Sequence, residues 1–163
     1  VDGAPVALRV DLNADGTLDV TAGDKAFVYF GLRRGGAAYF ALDASNPDAV
    51  PTLQWTIRRT ADGPFDELGL AFSTPVVAKV NYSGVPQDVL IFAGGYNGGW
   101  NKDGSARLGK DLNADDDTVG NAIFIVNART GELVWKAVKG TTGVSSNTRY
   151  QHGGLVDSIP STV

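Results

Sequence analysis

The chain has no cysteine and no methionine, and one histidine among 163 residues. Without cysteine there is no disulfide, no thiolate metal site and no cysteine nucleophile. That absence does not fix a compartment, because exported bacterial proteins also do without the residue. Without a leading Met the chain is not a nascent N-terminus. It opens on VDGAP and stops at SIPSTV, so we read it as a piece of something longer. No signal peptide is visible. The longest apolar runs, such as AIFIV at 122–126, fall far short of the ~20 residues that span a bilayer. A basic stripe is also missing: 14 Lys and Arg face 18 Asp and Glu, a net charge of −4, which argues against a nucleic-acid partner. Neither G-x-S-x-G nor H-E-x-x-H occurs. His152, in YQHGG, has no serine, cysteine or metal ligand at a useful spacing and reads as a loop residue.

What is present is glycine, 21 residues of it, within a composition that is 43% hydrophobic. That suits a turn-rich β domain with a real core. The chain also repeats itself. YFALDAS (39–45) aligns with IFIVNAR (123–129), LQWTI (53–57) with LVWKA (133–137), and STPVV (73–77) with SIPST (158–162). GAPVAL (3–8) is a further copy of the Pro-Val start, and FVYFG (27–31) and VLIFAGG (89–95) fill the remaining slot. Each unit therefore reads as four short strands: Pro-Val, an apolar run ending in Gly, an aromatic run ending in Asp/Asn-Ala, and Leu-x-Trp. No window holds a helical period. Four-stranded units repeating at this spacing predict an all-β partial β-propeller over 1–163. The first blade is about 1–70, the second about 71–157, and 158–163 starts a third. A two-sheet sandwich is the competing architecture.

The stretch DLNADGTLD places oxygen-bearing side chains at its positions 1, 3, 5 and 9 and glycine at 6. Ca²⁺ takes roughly 6–8 oxygen ligands, and calcium loops draw them from those positions and from the carbonyl at 7. The candidate ligands are Asp11, Asn13, Asp15 and Asp19 by side chain and Thr17 by its carbonyl, with Gly16 at the sharp turn. Position 12, a bidentate Glu in an EF-hand, is Ala22, and no apolar helix follows, so the loop is a shorter variant. An acidic surface turn is the bland alternative. It leaves carboxylates ~5 Å apart repelling by on the order of 1 kcal/mol per pair, which a cation removes. Mg²⁺ suits such an all-protein oxygen cage less well.

A second run, DLNADDD at 111–117, carries Asp116 where the glycine belongs and Val119 at position 9. We expect it to be mobile and to bind an ion weakly at most. GLRRGG (31–36) holds Arg33 and Arg34, but it lies between two strands with no helix behind it, so it reads as a tight turn rather than a phosphate loop. Trp55 and Trp135 hold equivalent repeat positions and are expected to pack between blades. Trp100, in the Gly-rich YNGGWN, is a candidate partner anchor.

Taken in order, VDGAPVA, GLRRGGAAYFALDAS, LQWTI, ELGLAFSTPVV, VLIFAGGYN, GNAIFIVNARTGELVW and SIPSTV resemble the C-terminal propeller of the PilY family, the type IV pilus tip-associated adhesin and biogenesis proteins of Gram-negative bacteria. The resemblance implies a non-enzymatic, quinoprotein-like propeller, exported and placed at the pilus tip or cell surface. Its implied partners are minor pilins and the rest of its own propeller. It also implies Ca²⁺ at a D-x-N/D-x-D-x-x-x-D loop, matched here by Asp11, Asn13, Asp15, Thr17 and Asp19, and tied in the family to pilus extension and retraction. Two other readings stay open. DLNADGTLDVTAGD also resembles the FG-GAP repeat of integrin-like ectodomains, and TGELVW the blades of quinone-dependent dehydrogenases.

Overall fold

Short β-branched and aromatic runs, each bounded by Gly, Pro, Asn or Asp, become strands throughout. The computed structural model describes residues 3–98 and 116–163. The strands β1 (Val6–Val10), β2 (Lys25–Gly31), β3 (Ala38–Asp43) and β4 (Thr52–Arg58) form an antiparallel sheet in chain order. A second sheet repeats that meander with β5 (Val76–Tyr82), β6 (Val85–Ala93), β7 (Ala122–Asn127) and β8 (Leu133–Lys139). The fold is all-β, in two propeller-like sheets.

The repeat holds to the level of single residues. In the first sheet Ala41 pairs with Trp55 and Leu42 with Leu53, so a bulge sits between them. In the second, Ile125 pairs with Trp135 and Val126 with Leu133, with a bulge at the same place. Leu-x-Trp thus carries its own register error, one extra residue against its partner strand. The faces follow from strand alternation. Trp55 stacks on Tyr29 (centroids 5.7 Å apart) on the side that meets the second sheet. On the second sheet the meeting side carries Phe92, Phe124 and, opposite Phe124, Lys136. Trp135, one residue earlier, points the other way. Equivalent faces therefore look in the same rotational sense, and the first strands β1 and β5 lie side by side. A sandwich pairs like faces; a propeller stacks them head to tail, as here. The core between the sheets is aromatic, with Tyr39 4.3 Å from Phe92 and its hydroxyl donating to the Ser73 carbonyl at 2.7 Å.

The second sheet departs from the four-strand expectation. It continues past β8 into a hairpin, β9 (Gly143–Ser146) and β10 (Arg149–His152), and β10 runs parallel to β8. The polar TTGVSSNTRYQH shows no alternation, which hid both strands. The segment 158–163, expected to open a third unit, sends Ile159 to bridge Gly95. The connector between the sheets is pinned by a buried cation. The Lys136 ammonium donates to Glu67 at 2.7 Å, to the Pro64 carbonyl at 3.1 Å and to Asp66 at 3.4 Å.

Candidate metal loop between the first two strands

The β1–β2 hairpin makes its last pair at Val10 and Lys25, so residues 11–24 are its connection. Local side-chain to backbone bonds shape this loop. Asp11 Oδ2 accepts the Gly16 N–H at 2.9 Å, across the turn where Gly16 has φ +83°. Asn13 Oδ1 accepts the Asp15 N–H at 3.3 Å, and Asn13 Nδ2 donates back to Asp15 Oδ2 at 2.8 Å. Asp15 Oδ1 takes both the Thr17 N–H (2.7 Å) and the Thr17 hydroxyl (2.6 Å). Asp19 caps a short 3-10 turn, Val20–Ala22, by accepting the Thr21 N–H at 2.8 Å and its hydroxyl at 2.7 Å. These bonds, the Thr17 hydroxyl first for Asp15 and the Thr21 hydroxyl first for Asp19, hold both carboxyls below the usual carboxylate range.

The loop thus brings Asp11, Asn13 and Asp15 onto one arm, bonded to one another or across the turn, and leaves Asp19 on the returning arm. Among the described residues no three acidic or histidine side chains stand close enough together to form a finished metal cage. Thr17 engages Asp15 through its hydroxyl and N–H, which leaves its carbonyl uncommitted by these bonds. One feature fits a cation directly. Asp11 Oδ1 is shielded from solvent and has no hydrogen-bond partner. The Asp11 carboxylate already meets one positive charge, the Arg9 guanidinium 3.1 Å from Oδ2, so Oδ1 is the oxygen left for a further ligand. The donor set, carboxylates and an amide with no nitrogen or sulfur ligand, fits a hard cation.

A residue outside the predicted set closes the loop. Asp24 is fully buried, and its two oxygens accept the N–H groups of Leu12 and Asp19, each at 2.9 Å. The signal was in the sequence: an aspartate directly before an apolar strand is seldom left unpaired.

The other candidates resolve as follows. Asp111–Asp115 and Trp100 lie outside the described residues. Asp116 ion-pairs with Lys139. Asp117 is a structural acceptor, taking Asn97 Nδ2 and the Ser158 N–H, both at 2.6 Å. GLRRGG is a turn, with a 3-10 segment at Arg33–Gly35 and the Arg33 guanidinium 5.1 Å above the Phe72 ring. His152 ends β10, exposed, and its Nδ1 accepts the Gly154 N–H at 3.0 Å. A cavity of about 280 Å³ is lined by Pro86, Gln87, Asp88, Asn127 and Arg129. Its Asp88 carboxylate lies 3.4 Å from Lys79 and 4.0 Å from Arg129.

No known family profile and no curated protein matches the chain. Among solved structures it is similar to the crystal structure of the Pseudomonas aeruginosa PilY1 C-terminal domain. The TM-score is 0.54 and the sequences are 27% identical. The match covers 88% of this chain and 23% of that one, so the chain spans under a quarter of that domain's length. The likeness is one of fold and sequence together.

Proposed function

We propose that this chain is part of a non-catalytic, calcium-loaded propeller of a PilY-like protein, exported and acting in type IV pilus biogenesis and surface adhesion. The observation that carries the pilus assignment is the likeness to the PilY1 C-terminal domain across most of the chain. Its partners on this reading are minor pilins and the remaining sheets of its own propeller. The blade limits near residue 70 and residue 157 belong to the same proposal.

In this reading Asp11, Asn13, Asp15 and Asp19 hold Ca²⁺ by side chain and Thr17 by its carbonyl. What supports it is the partnerless, shielded Asp11 oxygen and the Gly16 turn that wraps the chain around it. The bound ion supplies positive charge, nothing more. The residues do the rest: Asp15 and Asp19 give up their threonine hydroxyls, and the two arms of the hairpin connection become one ordered surface. Any effect on pilus extension or retraction passes through what that surface presents.

Binding to the folded state alone stabilises it by about 2.7 kcal/mol at a hundredfold excess over Kd. Calcium should therefore raise the melting temperature of the wild-type chain, and Asp15→Ala should remove that rise while leaving the unliganded fold intact. In the full-length protein the same substitution should reproduce the pilus behaviour of calcium-free medium in a twitching assay. A wild-type chain whose melting temperature ignores calcium would return the loop to an acidic turn.

A further inference from the structure

We infer that Asp24 is a positioning and selectivity residue for the loop: a buried clamp that sets the distance between its two arms before any ion arrives. The inference deepens the calcium reading and rests on it for its ion-selectivity half. Its shape half stands on geometry alone.

The β1–β2 ladder ends at Val10 and Lys25, so every residue from 11 to 24 is outside the sheet. A connection that long gains little from its ends being held. Something must fix where the outgoing arm stands relative to the returning one. The only carboxylate among the described loop residues that is fully buried is Asp24, and it reaches both arms. Oδ1 holds Leu12, next to the first predicted ligand, and Oδ2 holds Asp19, the last. The chain is turned back to allow this. The Ala22 and Asp24 N–H groups both return to the Asp19 carbonyl at 3.1 Å, and Gly23 sits at φ +91°. At Gly23 a Cβ would stand 3.3 Å from the Leu12 side chain, which packs against the returning arm.

The clamp is made of acceptors that face main-chain donors, so no ion is needed to form it. Its consequence for an ion is a fixed spacing between Asp11 and Asp19. Mg²⁺ demands short contacts and near-octahedral geometry, whereas Ca²⁺ accepts a wider, looser shell. A base pinned at one spacing cannot close further onto a small ion, so the pinned loop disfavours Mg²⁺. Asparagine at this site has the same shape but one acceptor, and its amide must point a donor at a backbone donor.

The test begins with amide hydrogen exchange on the wild-type chain in excess chelator. Leu12 and Asp19 should be protected although neither belongs to the ladder. In Asp24→Asn that protection should vanish while the β2 amides of Val28 and Phe30 stay protected, which shows that the sheet still forms. Titration with calcium chloride and magnesium chloride follows. Asp24→Asn should weaken calcium about tenfold or more, as loss of a supporting partner does at other metal sites. It should weaken magnesium less, so the calcium-to-magnesium ratio falls. Unprotected Leu12 and Asp19 amides in the wild type would overturn the clamp without recourse to any variant. An unchanged ion ratio in a folded Asp24→Asn would overturn its role in selectivity. If the wild type binds no calcium, the calcium reading fails by itself, and the clamp is judged on exchange alone. Asp15→Ala is the converse control: it should lose calcium and keep the Leu12 and Asp19 protection.

Discussion

Trp55 and Trp135 hold the same place in two copies of one pattern, next to the same bulge, yet their surroundings differ. Trp55 is buried, its Nε1 donating at 3.0 Å to the Ala128 carbonyl in the β7–β8 turn of the following sheet. Gly131, in that turn at φ +74°, lies against the ring, so that a Cβ there would come within 2.9 Å of Trp55. Trp135 is half-buried, on the side facing away from the first sheet. The bulge and the register are local properties of Leu-x-Trp and its partner strand, and they recur wherever the pattern does. The burial of the indole is a property of the neighbour, and only the first copy has one among the described residues. Head-to-tail stacking makes this unavoidable, because each sheet offers a different face to each side.

The widest separation of the two copies is expected on truncation. Trp55→Ala should cost about 3–5 kcal/mol, the usual range for a buried aromatic. Trp135→Ala should cost less, since the ring is only partly buried and, among the described residues, makes no contact with the first sheet's side of the core. Urea unfolding of the two variants measures both. Equal costs would mean that the tryptophans are held within their own sheets and that the inter-sheet turn contributes nothing.

Next in size is the ion cluster that only the second sheet has. Lys136→Met removes the cation beside Glu67 and Asp66 and should cost about 3 kcal/mol, the low end for breaking a buried pair. The loss is limited because burial already pushes the Glu67 carboxyl upward, with Asp66 adding to it and Lys136 opposing. Glu67 can therefore take a proton, and the Arg149 guanidinium 3.8 Å from its other oxygen still faces it. The equivalent residue of the first sheet is Thr56, and Thr56→Met should cost little, which makes the pair a direct comparison by urea unfolding.

The four-strand unit, its order and the equivalence of the tryptophans were legible because each rests on short-range pattern: alternation, Gly and Pro stops, and an aromatic at a fixed offset. The β9–β10 hairpin was not, because GVSS and RYQH carry no apolar alternation and are held by backbone pairing to β8. The loop itself was legible in DLNADGTLD, but its shape was not. The predicted ligand set named the side chains at calcium-loop spacing and omitted Asp24, which is fully buried on the Leu12 and Asp19 N–H groups. Asp117 was passed over for the same reason: it stands at the end of a run expected to be mobile, yet it accepts the Asn97 amide and the Ser158 N–H. Spacing picks out oxygen-bearing side chains at a suggestive offset. It does not reveal which carboxylates the main chain has already claimed.

A smaller effect probes the contact between the copies from the other side. Gly131→Ala forces an alanine into the left-handed region, at about 1–2 kcal/mol, and pushes a methyl toward the Trp55 ring. If the two residues form one contact, a double-mutant cycle with Trp55→Ala should show part of the cost disappearing once the ring is gone. Strict additivity would leave only backbone strain and would separate the turn from the tryptophan.

The smallest effect expected is in pH dependence, and it should have opposite sign in the first sheet and in the connector that follows it. In the first, Asp43 at the end of β3 accepts the Ser45 hydroxyl, and that bond, with Lys25 3.2 Å away, holds its carboxyl below the ordinary aspartate value of 3.8. A lowered folded value contributes stability that is present above 3.8 and lost as pH falls through the folded value. In the connector, against Lys136 of the second sheet, Glu67 is raised above 4.5 by burial, so its contribution is complete below 4.5 and is lost as pH rises through the folded value. Unfolding free energies measured from pH 3 to 7 should therefore carry an acid-side rise to which Asp43 contributes and a decline on the neutral side to which Glu67 contributes. Asp43→Asn should flatten part of the first, since Asp15 and Asp19 share that slope, and leave the second alone. Glu67→Gln, which mimics the protonated acid, should remove the neutral-side decline and leave the acid side alone. If Glu67→Gln left the neutral-side slope unchanged, Glu67 would be titrating as an ordinary carboxylate, and the buried cluster would be a fully ionised pair instead of one strained toward taking up a proton.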